Sequence, residues 1–254
     1  MVFRETRCAR CGTCLRTCQR GAILWGDGLP LTDAARCDLC EACVQTCPSQ
    51  AREIAGRWLS IRDVMAVIRR DVTFYDESGG GVTFSGGEPL LQAGFLDGLL
   101  QACKAEEIHT ALDTSGYAPW KVLDGLRQWV DLFLYDLKLM DDTLHKKYTG
   151  VSNRLILSNL KRLARLGHRI VLRLPLIPGI TAGEENIQQV SALARELPNI
   201  ERTDLLPYHD TARLKYQRLG LEYRLPPNAA LAEGQPAQIA ELFAAYNLRT
   251  KIGG

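Results

Sequence analysis

The 254-residue sequence contains no apolar run approaching the roughly 20 residues that a membrane-spanning helix needs. Met1 to Arg10 carries three arginines without the apolar stretch of a secretory leader. Charge of one sign is also missing. The 31 basic and 29 acidic residues are scattered along the chain and leave a net charge of +2, too little to mark a surface for nucleic acid or an anionic membrane. These absences give no footprint for a nucleic-acid or membrane partner, and the chain is expected to stay in the cytoplasm. With 46% hydrophobic and 24% charged residues, one large α/β domain with a small appendage fits the length.

What the sequence holds in excess is cysteine near its start. Eight of nine cysteines form two copies of one spacing, Cys8-x2-Cys11-x2-Cys14-x3-Cys18 and Cys37-x2-Cys40-x2-Cys43-x3-Cys47, the second followed by Pro48. Such a run wraps three thiolates around one iron–sulfur cube and lends the fourth to a neighbouring cube. One [4Fe-4S] cluster is then expected on Cys8, Cys11, Cys14 and Cys47, and another on Cys37, Cys40, Cys43 and Cys18. A disulfide framework rarely repeats this pattern, and nothing directs the chain to an oxidising compartment. Tandem CxxC pairs also hold zinc, but the fourth cysteine of each run and Pro48 favour iron–sulfur. Cys103 lies in a helical pattern and reads as a small buried hydrophobe.

Between the runs, Ala22–Trp25, Gly26-Asp27-Gly28 and Leu29–Leu31 read as a hairpin. Residues 1–56 are expected to form a bacterial-ferredoxin-like double-cluster domain and residues 57–254 a second domain. Ser60 is the expected N-cap of a helix carrying Ile61, Val64, Met65, Val67 and Ile68. Beyond it, strand-like runs at Gly81–Phe84, His109–Asp113, Asp131–Asp136, Arg169–Leu174 and Arg202–Leu206 alternate with helical patterns at Leu90–Ala105, Ala118–Gln128, Arg154–Leu166 and Gly183–Leu197. This βα repeat implies a parallel sheet, either part of a barrel or an open doubly wound sheet.

In both architectures chemistry collects at the carboxyl ends of the strands. There the sequence places Ser85-Gly86-Gly87-Glu88-Pro89, Asp113-Thr114-Ser115-Gly116, Asp136-Leu137-Lys138, Arg173 and Tyr208-His209. Two adjacent glycines let backbone groups approach a ligand, and Glu88 offers a carboxylate to an amine. Each motif alone has a packing or turn explanation; five polar termini on one rim are harder to assign to packing.

Together with His145, Thr149-Gly150, Asn153 and Ile177-Pro178-Gly179, these motifs resemble the activating enzymes of glycyl radical enzymes. These are radical S-adenosylmethionine proteins whose larger members carry a two-cluster ferredoxin insert. The resemblance covers the chain from about Cys8 onward. It implies a partial (β/α)6-type barrel and reductive cleavage of S-adenosylmethionine to a 5′-deoxyadenosyl radical, which takes hydrogen from a glycine of a partner enzyme. It further implies an electron donor such as flavodoxin or ferredoxin. By the same resemblance Gly86, Gly87 and Glu88 receive the methionine amino group. Asp113, Thr114 and Asp136 supply oxygen donors beside the cofactor, Lys138 and Arg173 offset its carboxylate, and His209 contacts its adenosyl part.

The sequence departs from that family in one respect. The family's third [4Fe-4S] cluster, where the radical forms, is held by Cys-x3-Cys-x2-Cys after the first barrel strand, and this chain contains neither that motif nor its strand. The expectation is a chain missing an amino-terminal segment through a late start site, truncation or natural loss. The alternative function is a ferredoxin-like electron carrier or docking module without radical catalysis. A metal-free aldolase-like barrel would leave the ordered cysteines without purpose.

Overall fold

Repetition builds the amino-terminal unit. The computed structural model describes residues 1–223, 225 and 231–253. Every cysteine of the first run is followed 29 positions later by its counterpart in the second, and the backbone repeats at the same interval. Left-handed conformations at Arg10, Gly12 and Gly21 recur at Leu39, Glu41 and Gln50. Holding a non-glycine residue there costs on the order of 1–2 kcal/mol, so the curl of each cysteine loop is imposed against local preference. The short helices Thr13–Thr17 and Ala42–Gln45 follow the loops.

Two antiparallel ribbons complete this unit: β1 (Val2–Phe3) with β4 (Arg52–Glu53), and β2 (Ile23–Gly26) with β3 (Leu29–Thr32). Exchanging the halves maps the pair Phe3 and Arg52 onto Thr32 and Ile23, and the pair Val2 and Glu53 onto Leu31 and Leu24. The unit therefore has an internal two-fold. The expected hairpin forms, with Asp27 and Gly28 both at positive φ (51° and 73°) as a two-residue type I′ turn requires. Met1–Trp58 and His209–Asn228 make up this unit, and Leu59–Tyr208 with Ala229–Gly254 make up the other.

The second unit opens on the helix Ile61–Ile68. Its N-cap Ser60 accepts the Asp63 N–H at 3.2 Å, while the Asp63 carboxylate takes the Ser60 N–H at 3.0 Å, a reciprocal capping box. The βα alternation then builds β5 (Gly81–Phe84), β6 (His109–Thr114), β7 (Leu132–Asp136), β8 (Ile170–Leu176), β9 (Ile200–Pro207) and β10 (Thr250–Ile252). All neighbours are parallel, and the spatial order follows the chain from β5 to β10. A doubly wound sheet reverses its strand order at a switch point. This sheet never does, so it winds in one direction as a partial barrel.

The sequence reading counts five strands, and the structure has a sixth in Thr250–Ile252. It escapes the pattern because it is three residues long and half exposed, with Ile252 as its only large apolar side chain. An edge strand paired on one side needs no apolar run.

Alternation gives the sheet two unlike faces. Leu112, Phe133, Tyr135, Ile170, Leu172, Leu174 and Leu205 point one way and are fully buried. Against them pack the apolar stripes of the helices Ala93–Ala105 (Leu96, Leu99, Leu100), Arg154–Arg165 (Ile156, Leu160, Leu163) and Glu184–Glu196 (Ile187, Val190, Leu193). At about 1.5–3 kcal/mol per buried aliphatic or aromatic side chain, this face holds the unit together. The opposite face carries Asp113, Asp136, Arg173 and Asp204. Among the described residues no helix is long and apolar enough to cross a membrane.

Candidate functional site

In the first unit, two clefts sort the cysteines across the repeat. One is lined by Cys8, Cys11, Cys14 and Cys47, with Phe3, Pro30 and Arg52. The other is lined by Cys37, Cys40, Cys43 and Cys18, with Arg20, Ile23, Asp38 and Glu41. Their empty volumes, open mouths included, are 300 and 330 Å³. Among the described residues no three cysteine, histidine or carboxylate side chains converge on a single metal ion. Each quartet thus borders one cleft, three of its members coming from one run and the fourth from the other.

Local chemistry around the sulfurs suits thiolates. Backbone N–H groups of Arg10, Ala22 and Ala51 donate to Cys8, Cys18 and Cys47 Sγ at 3.4, 3.3 and 3.3 Å. The Ala22 and Ala51 bonds are equivalents under the internal two-fold. Hydrogen bonding with Thr13 holds the Cys11 thiol below its ordinary pKa. Burial pushes Cys47 up, but the bonds with Ser49 and the Ala51 N–H outweigh it and leave that thiol lowered. Burial raises Cys43, against the field of Arg52. Cys103 stands apart on the helix Ala93–Ala105, fully buried, its thiol pushed up to about 11 by burial.

In the second unit the rim after β5 is shaped by glycine. Gly86 sits at φ 141°, a conformation essentially closed to other residues, and no atom stands within 4 Å of where a Cβ on Gly86 or Gly87 would lie. Backbone polar groups here are open to a ligand. Ser85 Oγ donates to Asp113 Oδ2 at 2.9 Å, and the Arg173 guanidinium meets the same oxygen at 2.5 Å. Lys138 Nζ pairs with Asp136 at 3.1 Å.

Register builds a row of alternating charge across four strands, because Asp136 stands beside Arg173, Arg173 beside Asp204, and Asp204 beside Lys251. Burial opposes the charge on Arg173, but the bond to Asp113 and the fields of Asp113, Asp136 and Asp204 outweigh it. Asp204, 3% exposed, takes both arms of Arg202 at 2.7 and 3.3 Å. Residue-by-residue reading of the sequence names Ser85 within its motif but misses Arg202 and Asp204. Two charges two positions apart within a strand-like run, Arg202 and Asp204, were the available signal.

Glu88 and Thr114 are engaged with each other in the ligand-free chain. Glu88 Oε1 accepts the Leu90 N–H at 3.1 Å and the Thr114 hydroxyl at 2.7 Å, and Oε2 accepts the Ser115 N–H at 2.9 Å and the Ser115 hydroxyl at 2.6 Å. These four bonds fill the lone-pair sites of a carboxylate. The Thr114 hydroxyl also accepts the Gly116 N–H at 2.9 Å. Glu88 therefore clamps the turn after β5 to the turn after β6. Gly116 must be glycine: at φ 69° its Cβ would stand 1.7 Å from the Tyr135 hydroxyl, which is fixed to the Ile156 carbonyl at 2.7 Å.

His145 and Asn153 shape loops. His145, 3% exposed, bonds the Val151 carbonyl through Nδ1 at 2.7 Å, and Asn153 Nδ2 donates to the Leu139 and Met140 carbonyls at 2.9 and 2.7 Å. They hold the segment that follows Asp136 and Lys138. His209 comes after β9 in the chain and falls in the first unit, whereas the other expected rim residues lie in the second.

Comparison with known proteins gives consistent results. The Radical SAM superfamily pattern matches residues 34–190. The trans-4-hydroxy-L-proline dehydratase activating enzyme of Clostridioides difficile is 41% identical over all of this chain and 85% of its own length. The choline trimethylamine-lyase activating enzyme of Oleidesulfovibrio alaskensis is 36% identical over 99% of this chain and 83% of its own. A crystal structure of a domain of pyruvate-formate lyase-activating enzyme from Bacteroides vulgatus superposes with a TM-score of 0.58 at 36% identity, covering 69% of this chain and 99% of that one.

Proposed function

The chain belongs to the radical SAM superfamily and, within it, to the activating enzymes of glycyl radical enzymes, and from that membership we propose a division of labour between its two units. Its protein substrate is a glycyl radical enzyme, and the family's cofactors are a [4Fe-4S] cluster and S-adenosylmethionine, which together supply one-electron chemistry that ends in hydrogen removal from a glycine.

In this reading residues 1–56 bind two further [4Fe-4S] clusters and relay electrons from a donor such as flavodoxin or ferredoxin. The partition of eight cysteines into two quartets, each drawing three members from one run and one from the other, carries the proposal. The N–H groups directed at sulfur support it, because they stabilise thiolates and tune whatever these bind.

The second unit receives S-adenosylmethionine on its charged face. The exposed backbone at Gly86 and Gly87 takes the ammonium of the methionine part, and Glu88 fixes that loop through Thr114 and Ser115. Arg173 and Lys138 offset the methionine carboxylate, and Asp113 and Asp136 balance them. The radical-forming cluster finds no ligands: of the nine cysteines, eight line the two clefts and Cys103 is buried in a helix. The same count supports a second reading, in which these residues act alone as an electron carrier.

Anaerobic reconstitution with iron and sulfide separates the two. About eight irons per chain are expected at four per cubane, falling in Cys18→Ala and Cys47→Ala variants; markedly fewer irons in the unaltered chain would overturn the two-cluster proposal. Mixing the loaded chain with a candidate glycyl radical protein, S-adenosylmethionine and dithionite then decides activity. A glycyl doublet in the electron paramagnetic resonance spectrum assigns activation to these 254 residues, and its absence at full iron content assigns the carrier role.

A further inference from the structure

The internal two-fold of the first unit holds for the cysteines but not for the charges around them. Each run has one exposed cysteine, Cys11 in the first and Cys40 in the second, and the two are counterparts in the repeat. The loop of Cys11 carries Arg10 and Arg16, both exposed; the residues 29 positions later are Leu39 and Gln45. The loop of Cys40 carries Asp38 and Glu41, both exposed, where the first loop has Ala9 and Gly12. The two exposed thiols therefore sit in loops of opposite charge.

Local contacts leave the first loop basic. Arg16 reaches back over it, Nη1 donating to the Cys11 carbonyl at 3.5 Å and Nη2 to the Thr13 hydroxyl at 3.2 Å, both uncharged partners. Among the described residues no carboxylate forms an ion pair with Arg7, Arg10 or Arg16. In the second half Arg36, the counterpart of Arg7, pairs with Asp33 at 3.4 Å, and Asp38 takes Arg20 at 2.7 Å. Trp25, 51% exposed, completes the first face. A Cβ on Gly12 would lie 3.5 Å from its ring and 3.5 Å from Arg16 Nη1, so ring and guanidinium flank the residue next to Cys11.

Building on the electron relay read above, we propose that this face, centred on Cys11, is where an acidic one-electron carrier protein docks, and that electrons enter the unit there. The reduced carrier gives up one electron and the cluster gains it, with no bond made or broken. Four thiolates leave each cluster anionic, so an acidic carrier is repelled unless fixed cations line its approach. Arg7, Arg10 and Arg16 supply that attraction at Cys11, whereas Asp38 and Glu41 add to the repulsion at Cys40. An exposed aromatic ring among the arginines gives the apolar contact of a small, transient electron-transfer interface.

The test mixes the full chain, reconstituted anaerobically, with a reduced flavodoxin or a reduced bacterial ferredoxin, both acidic carriers, and follows cluster bleaching by stopped flow. The second-order rate is expected to fall steeply as salt rises. Arg7→Gln and Arg36→Gln remove the same charge from equivalent positions of the repeat. The first slows reduction at least about threefold at low salt, and the second leaves it within that margin. Arg10→Gln combined with Arg16→Gln slows it at least about tenfold, with iron content and the extent of reduction by dithionite unchanged. A rate independent of salt, or Arg36→Gln as slow as Arg7→Gln, overturns the proposal. So does salt-sensitive self-association, one copy's arginines on another's Asp38 and Glu41, with a carrier rate that Arg7→Gln does not move. If the double variant fails to hold iron, the comparison of Arg7→Gln with Arg36→Gln decides alone. Failure of both carriers to reduce a chain that dithionite reduces also overturns docking, whereas iron well below about eight per chain before mixing counts against the two-cluster reading instead.

Discussion

Replacing Glu88 with glutamine separates a clamp from a ligand. The carboxylate accepts four hydrogen bonds, two on each oxygen, from Leu90, Thr114 and Ser115. Glutamine keeps one acceptor oxygen and puts an NH2 donor where the other stood. If the oxygen stays toward Leu90 and Thr114, the new amide faces the Ser115 N–H and hydroxyl. The hydroxyl can turn to accept, but the N–H cannot. The variant therefore loses one to two charge-assisted bonds, each worth about 1.5–3 kcal/mol, and leaves a donor facing a donor. Because the site is half-buried, water offsets part of this, and a loss of about 2–4 kcal/mol in the local opening free energy is expected. At about 1.4 kcal/mol per factor of ten, hydrogen exchange of the Ser115 amide should quicken at least about thirtyfold. The measurement is residue-resolved exchange on the ligand-free chain, where no substrate contact contributes. An Ser115 amide that exchanges within threefold of the unaltered protein refutes the clamp and returns Glu88 to direct ligand contact.

Two further perturbations follow from the same geometry. Gly116→Ala combines a positive φ with a Cβ 1.7 Å from the Tyr135 hydroxyl, and a loss of more than about 3 kcal/mol, or no folded protein, is expected; a urea midpoint close to that of the unaltered chain would contradict the packing described. Burial pushes Asp131 up, but the Lys104 ammonium and the Thr110 N–H at 2.7 Å hold its carboxyl below the ordinary range. A carboxyl depressed in the fold stabilises above its unfolded pKa of about 3.9 and loses that contribution as pH falls through the folded value. Lys104→Met should therefore cost about 1 kcal/mol at pH 7, with the deficit in chemical denaturation shrinking as pH drops below 4; a deficit constant across that range would show that the pairing is not its source.

The βα order was legible because five strands repeat short apolar runs between helical stripes, and a parallel sheet followed from that rhythm. Handedness of winding was not, since periodicity leaves a barrel and a doubly wound sheet open; only the unreversed order from β5 to β10 decides. Thr250–Ile252 stayed hidden because pairing with β9 is a tertiary fact with no composition of its own. At the rim, Asp113, Asp136 and Arg173 stood out as polar ends of apolar strands. Their neighbour Asp204 sits inside a strand, and its place beside Arg173 depends on a register that no local motif encodes. Glu88 was visible, but its commitment to Thr114 and Ser115 required the fold to bring two turns together.

Two arginines, Arg173 and Arg52, show how far charge can be read from a sequence. Arg173 lies on a strand with Asp136 and Asp204 as lateral neighbours and Asp113 at 2.5 Å, so its surroundings already compensate it. A ligand carboxylate reaching it enters a balanced network and must displace or share an existing partner, which favours a ligand that brings a cation of its own. An amino acid does so: in the proposed binding mode its ammonium meets the open backbone at Gly86 and Gly87 while its carboxylate meets Arg173 and Lys138. Arg52 has no such compensation in its recorded contacts, and its position is apolar in the other half of the repeat. In Arg-Glu at 52–53 nothing separates this residue from a surface pair; in register with Ile23 it is a buried charge. Comparing the two halves of the duplication position by position thus finds what neither half reveals alone.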